Sequence, residues 1–251
     1  MHLPDPQFPP LLNGHGVKAP EQPLDVACAG AIDGTLSAGD VVWSRNTAHA
    51  TAAIVLEPDV AIVRAREMLV VLQLSLIEAL ALLMPSQTAL QIGWPKQLLC
   101  NGAIVGGTAL VEPETADDAV PDWLIASFDV RLTRNIEGLE PGVLADESSL
   151  AEEDGMDVTR TAIVEQVAAH FNANIHRWEQ EGFRQIVDAW IGRVLGERGS
   201  DRYRTTDGEL RAGTIAGLGD DLSLMVKPDD GAPFASPYLP QVFSANRGTA
   251  R

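Results

Sequence analysis

The chain has 251 residues and carries 18 Lys and Arg against 35 Asp and Glu, a formal charge of -17 at pH 7. A duplex binder needs a cationic surface to displace counterions, and no stretch concentrates enough basic residues to offset this acidic background, so nucleic acid is excluded as the expected partner. A hydrophobic share of 45% supports a packed core, and the length fits one large domain or a main domain with a small appendage.

Cys28 and Cys100 are the only cysteines, too few for a disulfide scaffold and without zinc-site spacing, which predicts a reducing, cytoplasmic setting. The opening MHLPDPQFPPLLNGHG has no cationic start followed by an apolar run, so no secretory signal is expected. The longest apolar stretch, residues 60–84, contains Arg64, Arg66, Glu67 and Glu78, a set that a bilayer would disfavour by several kcal/mol. His2, His15, His49, His170 and His176 show no ligand spacing, and no metal site is expected.

In chain order, residues 1–24 hold Pro4, Pro6, Pro9, Pro10, Pro20 and Pro23 and read as an extended lead-in laid along the surface. Residues 40–44 (DVVWS) and 52–56 (AAIVL) are rich in β-branched side chains and read as strands. Residues 60–84 predict one largely buried helix that stops before Pro85. Strands follow at 89–94, 98–100 and 103–111, with Asn101-Gly102 between the last two. That dipeptide is a strong hairpin signal, because both central residues of a type I′ turn need positive φ. After an acidic loop, residues 123–132 (WLIASFDVRL) predict another strand.

Residues 134–158 combine Gly, Pro and a run of acids, which predicts a solvated excursion. Ile163, Val167, Phe171, Ile175 and Trp178 recur at helical spacing within 159–181; Gly182 interrupts, and a further helix covers 183–195. Around Asp207-Gly208, Gly217 to Gly219 and Asp230-Gly231 the tail has short apolar runs, the pattern of a small β unit. The expected fold class is α+β, a mixed sheet flanked by helices, divided as lead-in 1–24, main domain 25–198 and C-terminal β unit and tail 199–251.

Residues 91–111 read QIGWPKQLLCNGAIVGGTALV. This resembles the catalytic domain of the biotin and lipoate protein ligases, in which Trp-Pro-Asn-Asp precedes a short strand, a tight turn and a Lys-containing strand ending in Gly. Trp94 and Pro95 fall on the Trp-Pro, Asn101-Gly102 on the turn and Gly107 on the strand glycine. Residues 178–190 (WEQEGFRQIVDAW) are similar to the helical segment that closes that domain before a small terminal β-barrel. The resemblance implies ATP-dependent activation of a carboxylic acid as an acyl-adenylate, followed by attack of a carrier-protein lysine.

That chemistry needs fixed cations against phosphate and oxyanion charge. The family's Arg- and Gly-rich loop between its second and third strands corresponds here to SRNTAHATAA (44–53), which holds Arg45 and no glycine. The family lysine after the tight turn aligns with Ile104, and the Asn-Asp with Lys96 and Gln97. The adenylation site is therefore read as degraded. Lys96 and Arg45 are the candidate catalytic groups, as relocated cations or as ordinary solvated charges.

Candidate ligand-binding residues are Trp94, Pro95, Asn101, Gly102, Gly106, Gly107 and Trp123. Gly106 and Gly107 admit a ligand near the backbone or mark a bulge, and Trp94 and Trp123 wall a pocket or pack in the core. Cys100, in a strand with no neighbouring His or Lys, is a poor acyl-accepting nucleophile. Neither the Walker loop nor the dinucleotide fingerprint occurs. Three readings remain: a non-catalytic binder or regulator for a small acid or its adenylate, a ligase acting on biotin or lipoate with ATP and Mg²⁺ through Arg45 and Lys96, or an interaction protein whose pocket has filled. A carrier protein is a partner only on the ligase reading.

Overall fold

The computed structural model describes residues 3–134, 146–194 and 201–243. Its main sheet is formed by β1 (Asn13–Val17), β2 (Asp40–Ser44), β3 (His49–Leu56), β4 (Leu90–Gly93), β5 (Gln97–Cys100), β6 (Ala103–Glu112) and β7 (Leu124–Arg131). Their spatial order is β1-β2-β3-β7-β6-β5-β4, with β1 parallel to β2 and the later pairs antiparallel. The expected α+β mixed sheet is thus observed.

Strand alternation sorts the apolar side chains onto two faces. Val41, Trp43, Ala52, Ile54, Ala126 and Phe128 enter one core; the intervening Val42, Ala53, Val55 and Ile125 enter the other. This is the period of two expected when both faces are covered. Helix α1 (Pro23–Asp33) covers the second face. On the first lies α3 (Met68–Leu83), itself covered by α4 (Arg160–Glu181) and flanked by α5 (Phe183–Ile191). Because α3 is enclosed by sheet and helix, its apolar residues extend around its circumference; each fully buried large side chain contributes about 1.5–3 kcal/mol.

The stretch 60–84 is not one uninterrupted helix. A short α2 (Ile62–Ala65) precedes α3, and the backbone between them tightens, Leu69 N–H donating to Arg66 O and Val70 N–H to Glu67 O. The side chains there are directed to other elements: Arg66 reaches Glu112 at 2.8 and 3.0 Å, and Glu67 accepts the indole N–H of Trp178. At the other end Met84 is extended (ψ 156), as Pro85 demands. Asn101 and Gly102 have φ of 50 and 90, the expected type I′ geometry.

Two expectations need correcting. The lead-in contributes β1, whose residues are largely exposed at the sheet edge and therefore show no apolar alternation. The described part of the acidic excursion, 146–158, is anchored and not merely solvated: Leu150 is fully buried, and Arg134 pairs with Glu152 at 2.7 Å. Residues 135–145 of that excursion, Leu195 and the 198/199 boundary lie outside the described residues.

The C-terminal unit is a four-stranded antiparallel sheet, β11-β10-β9-β8, made of β8 (Asp201–Arg204), β9 (Leu210–Leu218), β10 (Leu224–Pro228) and β11 (Phe234–Ser236). The chain then returns to the main sheet, where β12 (Gln241–Val242) pairs parallel to the end of β6.

Candidate functional site

The Trp94–Gln97 turn enters β5 and is held from below by α3. Gln73, fully buried, donates through Nε2 to Pro95 O at 2.7 Å and to Thr108 Oγ1 at 3.1 Å, while its Oε1 accepts the indole N–H of Trp190 at 3.0 Å. From β6, Thr108 N–H donates to Lys96 O at 2.8 Å. The Trp94-Pro95 peptide is cis. Gln73 was hidden in sequence because one amide inside VVLQLSLI looks like an interruption of an apolar run.

The paired glycines are required by neighbouring backbone. A Cβ on Gly106 would lie 2.1 Å from Asp129 O, and one on Gly107 would lie 2.6 Å from Lys96 O. The β5–β6 register shifts beside them, Leu98 facing Gly106 and Leu99 facing Ile104. Beside them lies a depression of about 380 Å³ between the hairpin and β3, lined by Lys96, Gln97, Gly106, Gly107, Thr51 and Asp129 among others, with Gln22 at the start of α1.

Asp129 projects from β7, opposite Thr51 in register. It accepts from Thr51 Oγ1 at 2.5 Å and contacts His49 Nδ1 at 3.0 and 3.1 Å. Burial pushes this carboxyl upward, but the hydrogen bonds from His49 and Thr51 outweigh it and hold Asp129 below the usual range; the same bond to Asp129 raises His49. Sequence reading missed this trio because 80 residues separate His49 from Asp129 and only the strand register joins them.

Arg45 lies elsewhere. It follows β2, and the β2–β3 connection is only residues 45–48. Between it and the Lys96 turn stand β3, β7 and β6, a lateral separation of roughly 19 Å at about 4.8 Å per strand spacing. Arg45 binds Asp5 at 2.5 and 2.8 Å and lines a second cavity of about 850 Å³ with Lys18 and Arg160. The guanidiniums of Arg45 and Arg160 lie 4.7 and 5.0 Å from the Trp43 ring, and burial followed by the charge of Arg45 lowers Arg160.

The remaining expected residues do not converge. Trp94 packs edge-on against Trp190 at 5.5 Å and against Tyr238 at 6.2 Å, on the side of the sheet edge that faces the C-terminal unit. Trp123 belongs to the core under α1 and meets Phe243; it precedes β7 at the end remote from Asp129, so it walls no cavity with the hairpin. Asn101 accepts from Ala89 N and donates to Glu153, at the opposite end of the hairpin from Lys96, and Gly102 serves the turn. Both cysteines are buried and their thiols pushed up to about 11 by desolvation, then by nearby carboxylates, which fits Cys100 as a packing residue. Among the described residues no cluster of His, Cys, Asp and Glu suited to a metal occurs, and no helix is long and apolar enough to cross a membrane.

A mixed sheet with helices on both faces, a Trp-Pro turn held over a glycine-bearing strand and a terminal antiparallel unit define the class of the biotin protein ligase fold. The sequence matches the biotin/lipoate A/B protein ligase family over residues 8–192, and the chain belongs to that family. A solved biotin protein ligase-like protein of unknown function from Silicibacter sp. TM1040 is 31% identical, with a TM-score of 0.80 over 92% of this chain and 96% of that one. Biotin protein ligase from Aquifex aeolicus is 15% identical, with a TM-score of 0.67 over 90% and 94% of the two chains. The same enzyme in complex with biotin and ATP gives 14% and 0.66 over 89% and 94%. No curated protein sequence matches.

Proposed function

We propose that this member of the ligase family is a non-catalytic binder or regulator, taking a small carboxylic acid, or its adenylate, in the depression beside Lys96. The carrying observation is that this cavity lies between the hairpin and β3 with Lys96 as its one lining cation among the described residues. A carboxylate there meets an exposed ammonium and the open backbone of Gly106 and Gly107.

Support for loss of adenylation comes from charge placement. A triphosphate and its Mg²⁺ need several fixed cations and free carboxylates. The cavity offers Lys96 alone, its Asp129 is engaged by His49 and Thr51, and Arg45 is bound to Asp5 across three intervening strands. The residues present do not fit that group. Two free, buried thiols agree with a cytoplasmic setting.

Calorimetry against biotin, lipoate and octanoate, each with and without ATP and Mg²⁺, tests the reading. Heat from an acid alone, unaltered by nucleotide and weakened at least tenfold by Lys96→Ala, is the expected result. Acid-dependent exchange of pyrophosphate into ATP would establish a working ligase instead. Silence toward every acid and toward ATP would leave a filled-pocket interaction protein as the correct description.

A further inference from the structure

A third cavity, of about 600 Å³, opens where the hairpin edge meets the C-terminal β unit. Among the described residues its charged lining consists of Lys96 from the turn before β5 and Arg202 and Arg204 from β8, with no Asp or Glu in its wall. Among the described residues none of the three forms an ion pair. Arg204 donates Nη1 to Gly208 O at 2.8 Å, which fixes one arm of its guanidinium. Burial, and after it the charge of Glu112, raises Tyr238; Glu112 is itself gripped by Arg66 and does not line the cavity.

The rest of the wall is aromatic. Trp94, Tyr203 and Tyr238 line it, with Trp94 braced edge-on by Trp190. The Trp94 indole N–H is buried and has no acceptor among the described residues. A buried donor left unpaired is unfavourable and marks a place where an acceptor is missing.

We propose that this cavity is a second ligand site, built for a small anion carried on a planar ring. The arginines pair a phosphate or carboxylate, and the tryptophan and tyrosines pack the ring. Its volume lies within the range of small-molecule sites, about 300–1,000 Å³. Arg202 and Arg204 belong to this cavity and not to the depression under Gly107, so the two sites fail or succeed separately even though Lys96 borders both.

The test uses the full chain with naphthyl phosphate, naphthoate, inorganic phosphate and naphthol, read by calorimetry and by quenching of tryptophan emission. Both ring anions bind and quench, and inorganic phosphate and naphthol bind at least tenfold more weakly. Arg202→Gln combined with Arg204→Gln, two changes on an exposed strand, weakens naphthyl phosphate at least tenfold while leaving the circular dichroism spectrum and any heat with octanoate unchanged. Lys227→Gln, on β10, is the control and alters nothing. Equal affinity for naphthol and naphthyl phosphate, an undiminished affinity in the double variant, or no heat from either ring anion overturns the proposal.

Discussion

Gln73→Leu isolates the contact that fixes the Trp-Pro turn. Leu has nearly the volume of Gln, so little cavity is created, and the perturbation is the loss of three hydrogen bonds at 2.7, 3.0 and 3.1 Å. Thr108 can rotate its hydroxyl and half-buried Pro95 O can reach water. The Trp190 indole cannot, because Trp190 is fully buried. An orphaned buried donor costs about 1–3 kcal/mol, and loss of the Pro95 bond adds about 1 kcal/mol, giving about 2–3 kcal/mol after the gain from burying Leu. At roughly 2–4 °C per kcal/mol for a chain of this size, the Tm falls by roughly 4–12 °C. Urea unfolding of Gln73→Leu, Trp190→Phe and the double variant supplies the coupling: once the indole is gone, the Gln73 change should be milder by about 1 kcal/mol or more. A Tm within about 1 °C of wild type, or strict additivity in the cycle, refutes the assignment.

Gly106→Ala places a methyl 2.1 Å from Asp129 O in the adjacent strand and should destabilise by about 1–3 kcal/mol, whereas Gly192→Ala, with φ -67 and nothing within 4 Å, should be neutral in the same thermal melts. His49 is raised by Asp129, so its contribution is complete below about pH 6.5 and is lost as pH climbs through the raised value; Asp129 is lowered, so its contribution is complete above about pH 3.9 and fades as pH falls through the lowered value. The pair therefore acts between these limits, and Asp129→Asn should bring the NMR titration midpoint of the His49 ring down; an unmoved midpoint argues against the contact. Cys28 and Cys100, both buried and near 11, should resist a thiol reagent at about pH 8 and react only on unfolding.

Much of the scaffold is legible in the letters because its signals are local. Val41 to Trp43, Ala52 to Val55 and Leu124 to Val130 alternate between two cores, Pro85 ends α3 and Asn101-Gly102 sets its turn. What escaped has non-local causes. β1 carries exposed, glycine-containing sequence, and its strand conformation comes from the partner backbone of β2. The acidic excursion conceals buried Leu150 because a run of charges masks a single anchor. Of the candidate site, Lys96, Gly106 and Gly107 come together, while His49, Thr51 and Asp129 meet through register alone, and Trp123, just before β7, packs in a different core.

Scaffold and surface charge are separated in this fold, so residues around the depression can vary without loss of its shape. The main core is fixed by apolar burial on α3 and by Gln73, Asn174 and the Arg66–Glu112 pair, none of which belongs to the β2–β3 connection. That connection, residues 45–48, carries no core side chain. Its Arg45 is engaged by Asp5 and stacked with Arg160 about Trp43, so this cation has a structural partner. Position 104 is similarly permissive, because Ile104 is only partly buried and uses its backbone to bond residues 146 and 148. The glycines are different. Gly106 and Gly107 are demanded by Asp129 O and Lys96 O, and they also line the depression beside Lys96. Selection for sheet packing alone therefore holds this part of the depression's wall in place, whatever occupies it.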